Sequence, residues 1–339
     1  MSIRTFGRCD GVEVAEVTLR GAGLEARIIT WGAVLRDLVA PGRDEPRHVV
    51  LGLERLEHYR AHSPYFGAIV GRYANRIGGA RFRLGGRIVD VVPNEKGNAL
   101  HGGPVGFGTR IWSLLAHDET RVHLGLVSEA GEMGYPGRLF ALASYELVEP
   151  ATLRISLQAF ADEPTPVNLT THSYYNLDGS ADVRDHLLFI ASDHVTPTDG
   201  ELIPTGEIRP VGETPFDFRT ARPIRPKGAP VDYDVNHVFR RERAGEPMLA
   251  HAATLASPVS GIAMELWTTE PGLQLYDGHL LDMPVAGLGG VRYGRNGGVA
   301  LEPQRFPDAP NHSHFPPCIL SPGEVSRQVS ELRFSLLRD

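Results

Sequence analysis

Three observations on this sequence predict an all-β fold of antiparallel strands. Glycine (38) and proline (26) make up about a fifth of the 339 residues and lie throughout, so the chain is cut into short runs. Within those runs apolar and polar residues alternate, or β-branched residues cluster, as they do in strands. Turn signals recur about every eight to twelve residues and helical periodicity is almost absent, which is the pattern of a sandwich or barrel.

The first strands fall at residues 12–19, 24–30, 34–39 and 49–51. Residues 53–60 offer one short helix. Residues 81–92, RFRLGGRIVDVV, read as two strands about a Gly-Gly turn, because glycine supplies the backbone freedom a tight hairpin needs. Further strands fall at residues 111–116, 122–127, 140–147, 152–159, 187–191, 262–268, 273–276 and 328–336. No repeat, low-complexity tract or linker interrupts them, so one domain over residues 1–339 is expected. The proline-rich stretch 204–230 carries Arg219, Arg222, Arg225 and Lys227. Without a glycine-rich turn or helix start to seat an anion, this cluster reads as a solvated loop.

The net charge of −7 argues against nucleic acid or an anionic membrane as a partner. Two cysteines, Cys9 and Cys318, stand far apart and make neither a disulfide framework nor a zinc-ligand spacing. The start of the chain lacks a leader pattern, and no apolar run is long enough to span a bilayer, so a cytoplasmic location is the expectation.

Four segments carry polar residues where a bland strand would be apolar. Residues 297–312 read GGVALEPQRFPDAPNH, and the run Val299-Ala300-Leu301 delivers Glu302 into Pro303. A carboxylate at the end of a buried strand is half desolvated, which raises its pKa toward the range of a base; the structural alternative pairs it with Arg305. Residues 71–77, GRYANRI, place Asn75 and Arg76 together, a set of donors suited to hydroxyls or carboxylates. Residues 98–103, NALHGG, set His101 before two glycines that permit close approach of backbone to a ligand. Residues 168–177, NLTTHSYYNL, surround His172 with hydroxyls and amides. Alternation puts Thr170, His172 and Tyr174 on one face. Histidine is the side chain best suited to donate a proton near neutral pH. His312 and His314 have a spacing that suits a metal on a strand, but the prolines around them favour a loop, and no metal is expected.

Taken in order, these segments resemble the aldose 1-epimerases (galactose mutarotases). The likeness runs through PYFGAIVGRYANRI, NALHGG, NLTTHSYYNL, HVTPTDGELIPTGEI, PFDFR, YDVNHVF, EPGLQLYDGHLLD and ALEPQRFPDAPNH, and so over most of the chain. The resemblance implies a large antiparallel β-sandwich, the galactose mutarotase-like supersandwich, with few short helices. It implies interconversion of α and β anomers of free aldoses of the glucose or galactose type, by acid/base ring opening and reclosure. Carried over by position, Glu302 matches the general base at the anomeric hydroxyl and His172 the general acid at the ring oxygen. His101 matches a supporting histidine, and Asn75, Arg76, Tyr174, Asp234 and Gln274 match groups around the sugar. One departure stands out: the family commonly has Asp-His-Asn where this chain has Asp234-Val235-Asn236, with His237 following.

Hemiacetal opening removes a proton from O1 while one is delivered to the ring oxygen, so a carboxylate and an imidazole suffice. No cofactor is expected, and the absence of P-loop, nucleophile-elbow and dinucleotide motifs agrees. The expected partner is a small aldose, on a monomer or homodimer. Two competing readings are a glycoside hydrolase using Asp234 and Glu302, which leaves both histidines idle, and a non-catalytic carbohydrate-binding relative. A hexose-phosphate epimerase relative would need the 219–227 basic cluster to face the pocket.

Overall fold

A computed structural model describes residues 2–226, 228–239 and 248–337; Lys227 lies outside the described residues. Two large antiparallel sheets and a smaller one are stacked about one core. The nine-stranded sheet runs Ser113–His117, Arg121–Ser128, Leu139–Val148, Thr152–Ala161, Ser326–Leu336, Ile262–Thr268, Ala250–Ala256, Leu187–Ile190, Arg222–Pro223. Strict alternation builds its inner face: along Leu139–Val148 every second residue from Leu139 to Leu147 is buried. Opposite lie the five-stranded sheet from Ser2–Cys9 to Arg47–His48 and a six-stranded sheet. Leu124, Ile155 and Leu266 of the first pack with Leu19 and Ile28 of the second and Leu273 and Leu301 of the third in one buried cluster. Burying apolar side chains between facing sheets is the main stabilising force here, at about 25 cal/mol per Å².

The six-stranded sheet positions the site. Its order is Tyr174–Tyr175, Val299–Gln304, Gly272–Tyr276, Asp234–Val238, His194–Thr196, Arg209–Pro210. Leu273, Leu275, Val299 and Leu301 face the main core, so the alternate residues Gln274, Tyr276, Ala300 and Glu302 face away from it. Register sets Asn236 beside Gln274 and Gln274 beside Glu302, a polar row across three strands.

Several expectations hold: the hairpin is Arg81–Leu84 with Arg87–Asp90, and the helix is Leu56–His62. Others need correction. Residues 49–51 form no strand beyond a bridge at Val50, since the partner strand is Arg47–His48. Glu302 is not at a strand end, because Val299–Gln304 continues through Pro303 to pair Gln304 with Gly272. Pro303 gives no N–H to the ladder, and its carbonyl accepts from Thr170 Oγ1 (2.7 Å) and Gln328 Nε2 (2.8 Å). Residues 168–177 are not one alternating strand: Thr170–Thr171 pairs with Ile69–Val70, while Tyr174–Tyr175 pairs with Val299–Gln304. Arg305 does not pair with Glu302; its guanidinium donates to the Pro317 carbonyl. Arg219, Arg222 and Arg225 are engaged outside the cleft, by Asp217, by carbonyls of the same loop and by Asp185. Among the described residues no helix is long and apolar enough to cross a membrane.

Candidate active site

A cleft of about 640 Å³ opens over the outward face of the six-stranded sheet. Seven of the eight site residues expected from the sequence line it: Glu302, His172, His101, Asn75, Arg76, Tyr174 and Asp234. Gln274 stands one step behind. Its amide Nε2 donates to Asp234 Oδ1 at 2.6 Å, so it positions that carboxylate rather than forming the wall.

Glu302 and His172 stand side by side, Oε1 to Nε2 3.7 Å, both almost wholly buried. That separation is too long for a hydrogen bond, so each group keeps its lone pair or proton for a third party. Burial raises the Glu302 carboxyl well above its ordinary value; the charge of Asp234 adds to this and Arg76 opposes it. Burial pushes His172 down to about 4. Both effects have one cause: a dry cleft penalises either charge, and so favours the arrangement in which the carboxyl keeps its proton and the imidazole is neutral. The backbone holds His172 through its N–H to Ala68 O (2.9 Å) and its carbonyl, which accepts from Gly67 N (3.0 Å).

His101 and Asn75 are clasped. Asn75 N–H donates to His101 Nδ1 (3.1 Å), and His101 N–H donates to Asn75 O (2.9 Å). Nδ1 therefore carries a lone pair, and the neutral ring keeps its proton on Nε2. Burial lowers His101 well below its usual value, with His172 and Arg76 adding to the effect. Asn75 (φ 60°) and His101 (φ 50°) are both left-handed, a strain that concentrates at sites where side-chain aim matters. Gly102 explains part of the NALHGG pattern: a Cβ there would lie 2.1 Å from the Gly71 carbonyl oxygen.

Arg76 is held by Glu95, from Nε at 2.5 Å and Nη2 at 3.1 Å, and its Nη1 lies 3.7 Å from Asp234 Oδ2. Burial opposes its charge, but the Glu95 hydrogen bonds and the Asp234 and Glu95 charges outweigh that and raise it above the ordinary guanidinium value. Asp234 itself is raised by burial, against the pull of Arg76. Tyr174 packs on His172 (centroids 5.1 Å) while its hydroxyl donates to Pro64 O (3.2 Å), so it serves as a wall.

Sequence reasoning missed Tyr65, Glu95 and Tyr276. Tyr65 packs edge-on against His101 (4.6 Å) and near His172 (5.8 Å); Tyr276 closes on Tyr174 (6.0 Å). Tyr65 and Glu95 sit in loops without a periodic signal; Tyr276 was visible only as the polar-tipped end of a strand. Val235 and His237 are buried on the face of their strand opposite Asp234, Val235 against Val195 and Val211, and His237 beside Phe218. The departure at Val235 therefore leaves the cleft wall alone. His312 and His314 turn elsewhere, to Asp308 (3.3 Å) and the Gly206 carbonyl (2.7 Å). Asp232, Asp277 and His279 bring potential metal-ligand atoms within 4.8 Å of one another, but Arg295 already places its charge on Asp232 at 2.6 Å.

A family model described as Aldose 1-epimerase matches residues 15–333. This chain belongs to the aldose 1-epimerase family. Its activity is accordingly the interconversion of aldose anomers, the work of an isomerase. Among family members, galactose mutarotase of Mus musculus is 39% identical over 96% of this chain and 95% of its own length. Aldose 1-epimerase of Escherichia coli (strain K12) is 35% identical over 96% of this chain and 96% of its own. The crystal structure of a GalM/aldose epimerase homologue from C. elegans superposes with a TM-score of 0.90 at 30% identity, covering 96% of this chain and all of that one. An all-β sandwich of the mutarotase type is thus the fold of an aldose 1-epimerase here.

Proposed function

We propose that the cleft acts on free, neutral aldoses of the glucose or galactose type, with Glu302 as general base and His172 as general acid. The observation that carries this reading is the 3.7 Å spacing of Glu302 Oε1 and His172 Nε2. The two oxygens bonded to an anomeric carbon lie close together, so the acid and base that serve them must be neighbours. Glu302 takes the O1 proton while His172 protonates the ring oxygen; the C1–O5 bond breaks and O1 becomes the aldehyde oxygen. Rotation about C1–C2 presents the other face, and the same pair runs in reverse. Each turnover returns the single proton to its starting place, so the pair needs no exchange with solvent.

Burial favours the proton on the carboxyl, and the reactive form carries it on His172. Moving it makes an ion pair within the dry cleft, and the Arg76 charge, which lowers Glu302, favours that form. His101, locked as an Nε2–H donor, supports the sugar at the reacting end. Asn75, Arg76 and Asp234 hold hydroxyls, with Gln274 fixing Asp234 and Tyr174 forming a stacking wall. Polarimetry of freshly dissolved α-glucose and α-galactose tests the reading. Acceleration of both toward equilibrium without release of reducing ends from glycosides is expected; hydrolysis instead would replace it with the glycosidase reading.

A further inference from the structure

We propose that Glu95 is a specificity-determining residue that makes the cleft reject aldoses bearing a carboxylate or phosphate. This deepens the reading above and rests on it. A sugar site with a buried arginine is ordinarily a lure for anions, because a guanidinium matches carboxylate and phosphate geometry in a two-pronged way. Here that fork is already filled. Glu95 takes Nε and Nη2 at 2.5 and 3.1 Å, and Nη1 is the prong left, 3.7 Å from the Asp234 carboxylate. A neutral hydroxyl can accept from Nη1, whereas an anion would meet a spent cation flanked by two carboxylates.

The loop that carries Glu95 is built to keep it there. Asn94 N and Glu95 N both donate to Asn98 O (3.0 and 3.1 Å), and Asn98 N returns to Glu95 O (2.8 Å). Asn98 is itself anchored, accepting from Gly79 N (2.8 Å) and donating to Glu201 Oε2 (3.1 Å). Asn94 clamps the base of the loop through Leu100 N (2.7 Å) and Leu100 O (3.0 Å). Glu95 is thus fixed before any sugar arrives, and its charge costs no reorganisation on binding. The wall adds to the bias: Asp234 also lines the cleft, whereas Lys96, the other Lys or Arg among its described lining residues, is exposed at its edge. Discrimination by placing charge against the wrong ligand is an established physical route to specificity.

The test is the ratio of kcat/KM for a uronic acid to that for the matching neutral hexose, galacturonate against galactose, by polarimetry. Glu95→Gln and Glu95→Ala remove the charge and Glu95→Asp keeps it. The ratio is expected to rise about tenfold in Glu95→Gln and Glu95→Ala, and to stay near the wild-type value in Glu95→Asp. A ratio unchanged in both neutral variants, or raised equally in Glu95→Asp, overturns the proposal, because loss of mere support for Arg76 would slow both substrates together. Wild-type protein inactive on galactose would sink the functional reading itself, so the two failures are told apart.

Discussion

Arg72 and Arg76 lie four residues apart in one GRYANRI segment, both almost fully buried, yet they do opposite jobs. Arg72 is surrounded by neutral oxygens. Nη1 donates to Pro136 O (2.8 Å) and Gly137 O (2.9 Å), Nη2 to Ser128 Oγ (2.7 Å), and the guanidinium lies over the Tyr135 ring at 5.5 Å. Burial without a carboxylate in contact pushes it down to about 10. Arg76 lies among Glu95, Asp234 and Glu302 and is pushed the other way. Residue type and burial are the same; the partners differ. A buried arginine that satisfies carbonyls is a bolt through the scaffold, and one that balances carboxylates beside a cavity is placed to meet a ligand.

The comparison breaks most sharply under substitution by methionine, which keeps length and removes the fork. Arg72→Met leaves several buried carbonyls unpaired and should cost about 3 to 5 kcal/mol of stability, read by urea unfolding. Arg76→Met should lose less stability, because Glu95 and Asp234 keep some access to water, and should drop kcat/KM for a neutral aldose about a hundredfold, in kcat as well as KM. Equal stability losses for the two would erase the distinction. The pH profile sharpens the same point at smaller amplitude. On the proposed mechanism activity requires one proton on the Glu302–His172 pair, so the acid limb should follow His172 near pH 4, below which a second proton binds. The basic limb should lie well above the ordinary carboxylate range, where Glu302 gives up its proton. In Arg76→Met the basic limb should move up, because Arg76 lowers Glu302 in the wild type.

What the sequence discloses follows from how local each signal is. The Arg81–Leu84 and Arg87–Asp90 hairpin is written in its Gly-Gly turn, and Leu139–Val148 in a two-residue alternation that needs no distant partner. Ser2–Cys9 was illegible because it is an edge strand with mostly exposed side chains and no apolar face. Asp234–Val238 was hidden for the converse reason: Asp, Asn and His stand where strand patterns expect apolar residues, since that strand serves the site. Glu302, His172 and His101 drew notice as polar residues in apolar or glycine-rich settings, but Glu302 and His172 are brought together only by pairing of Tyr174–Tyr175 with Val299–Gln304, over a hundred residues away in sequence. Glu95 and Tyr65 gave no signal at all. Their importance lies in what they touch.

Glu302 is the proposed base, and that role would account for its burial. Replacing it by glutamine keeps shape and removes the titration. In the wild type the folded chain holds the Glu302 proton more tightly than the unfolded chain, which favours folding below the ordinary carboxylate range. That contribution is lost as pH rises through the raised value. Glu302→Gln should therefore become the more stable protein as pH rises, while mutarotation of α-galactose at neutral pH falls about 10²- to 10⁴-fold. Polarimetry on the folded variant decides it: loss on that scale is predicted, and a near wild-type rate would contradict the account.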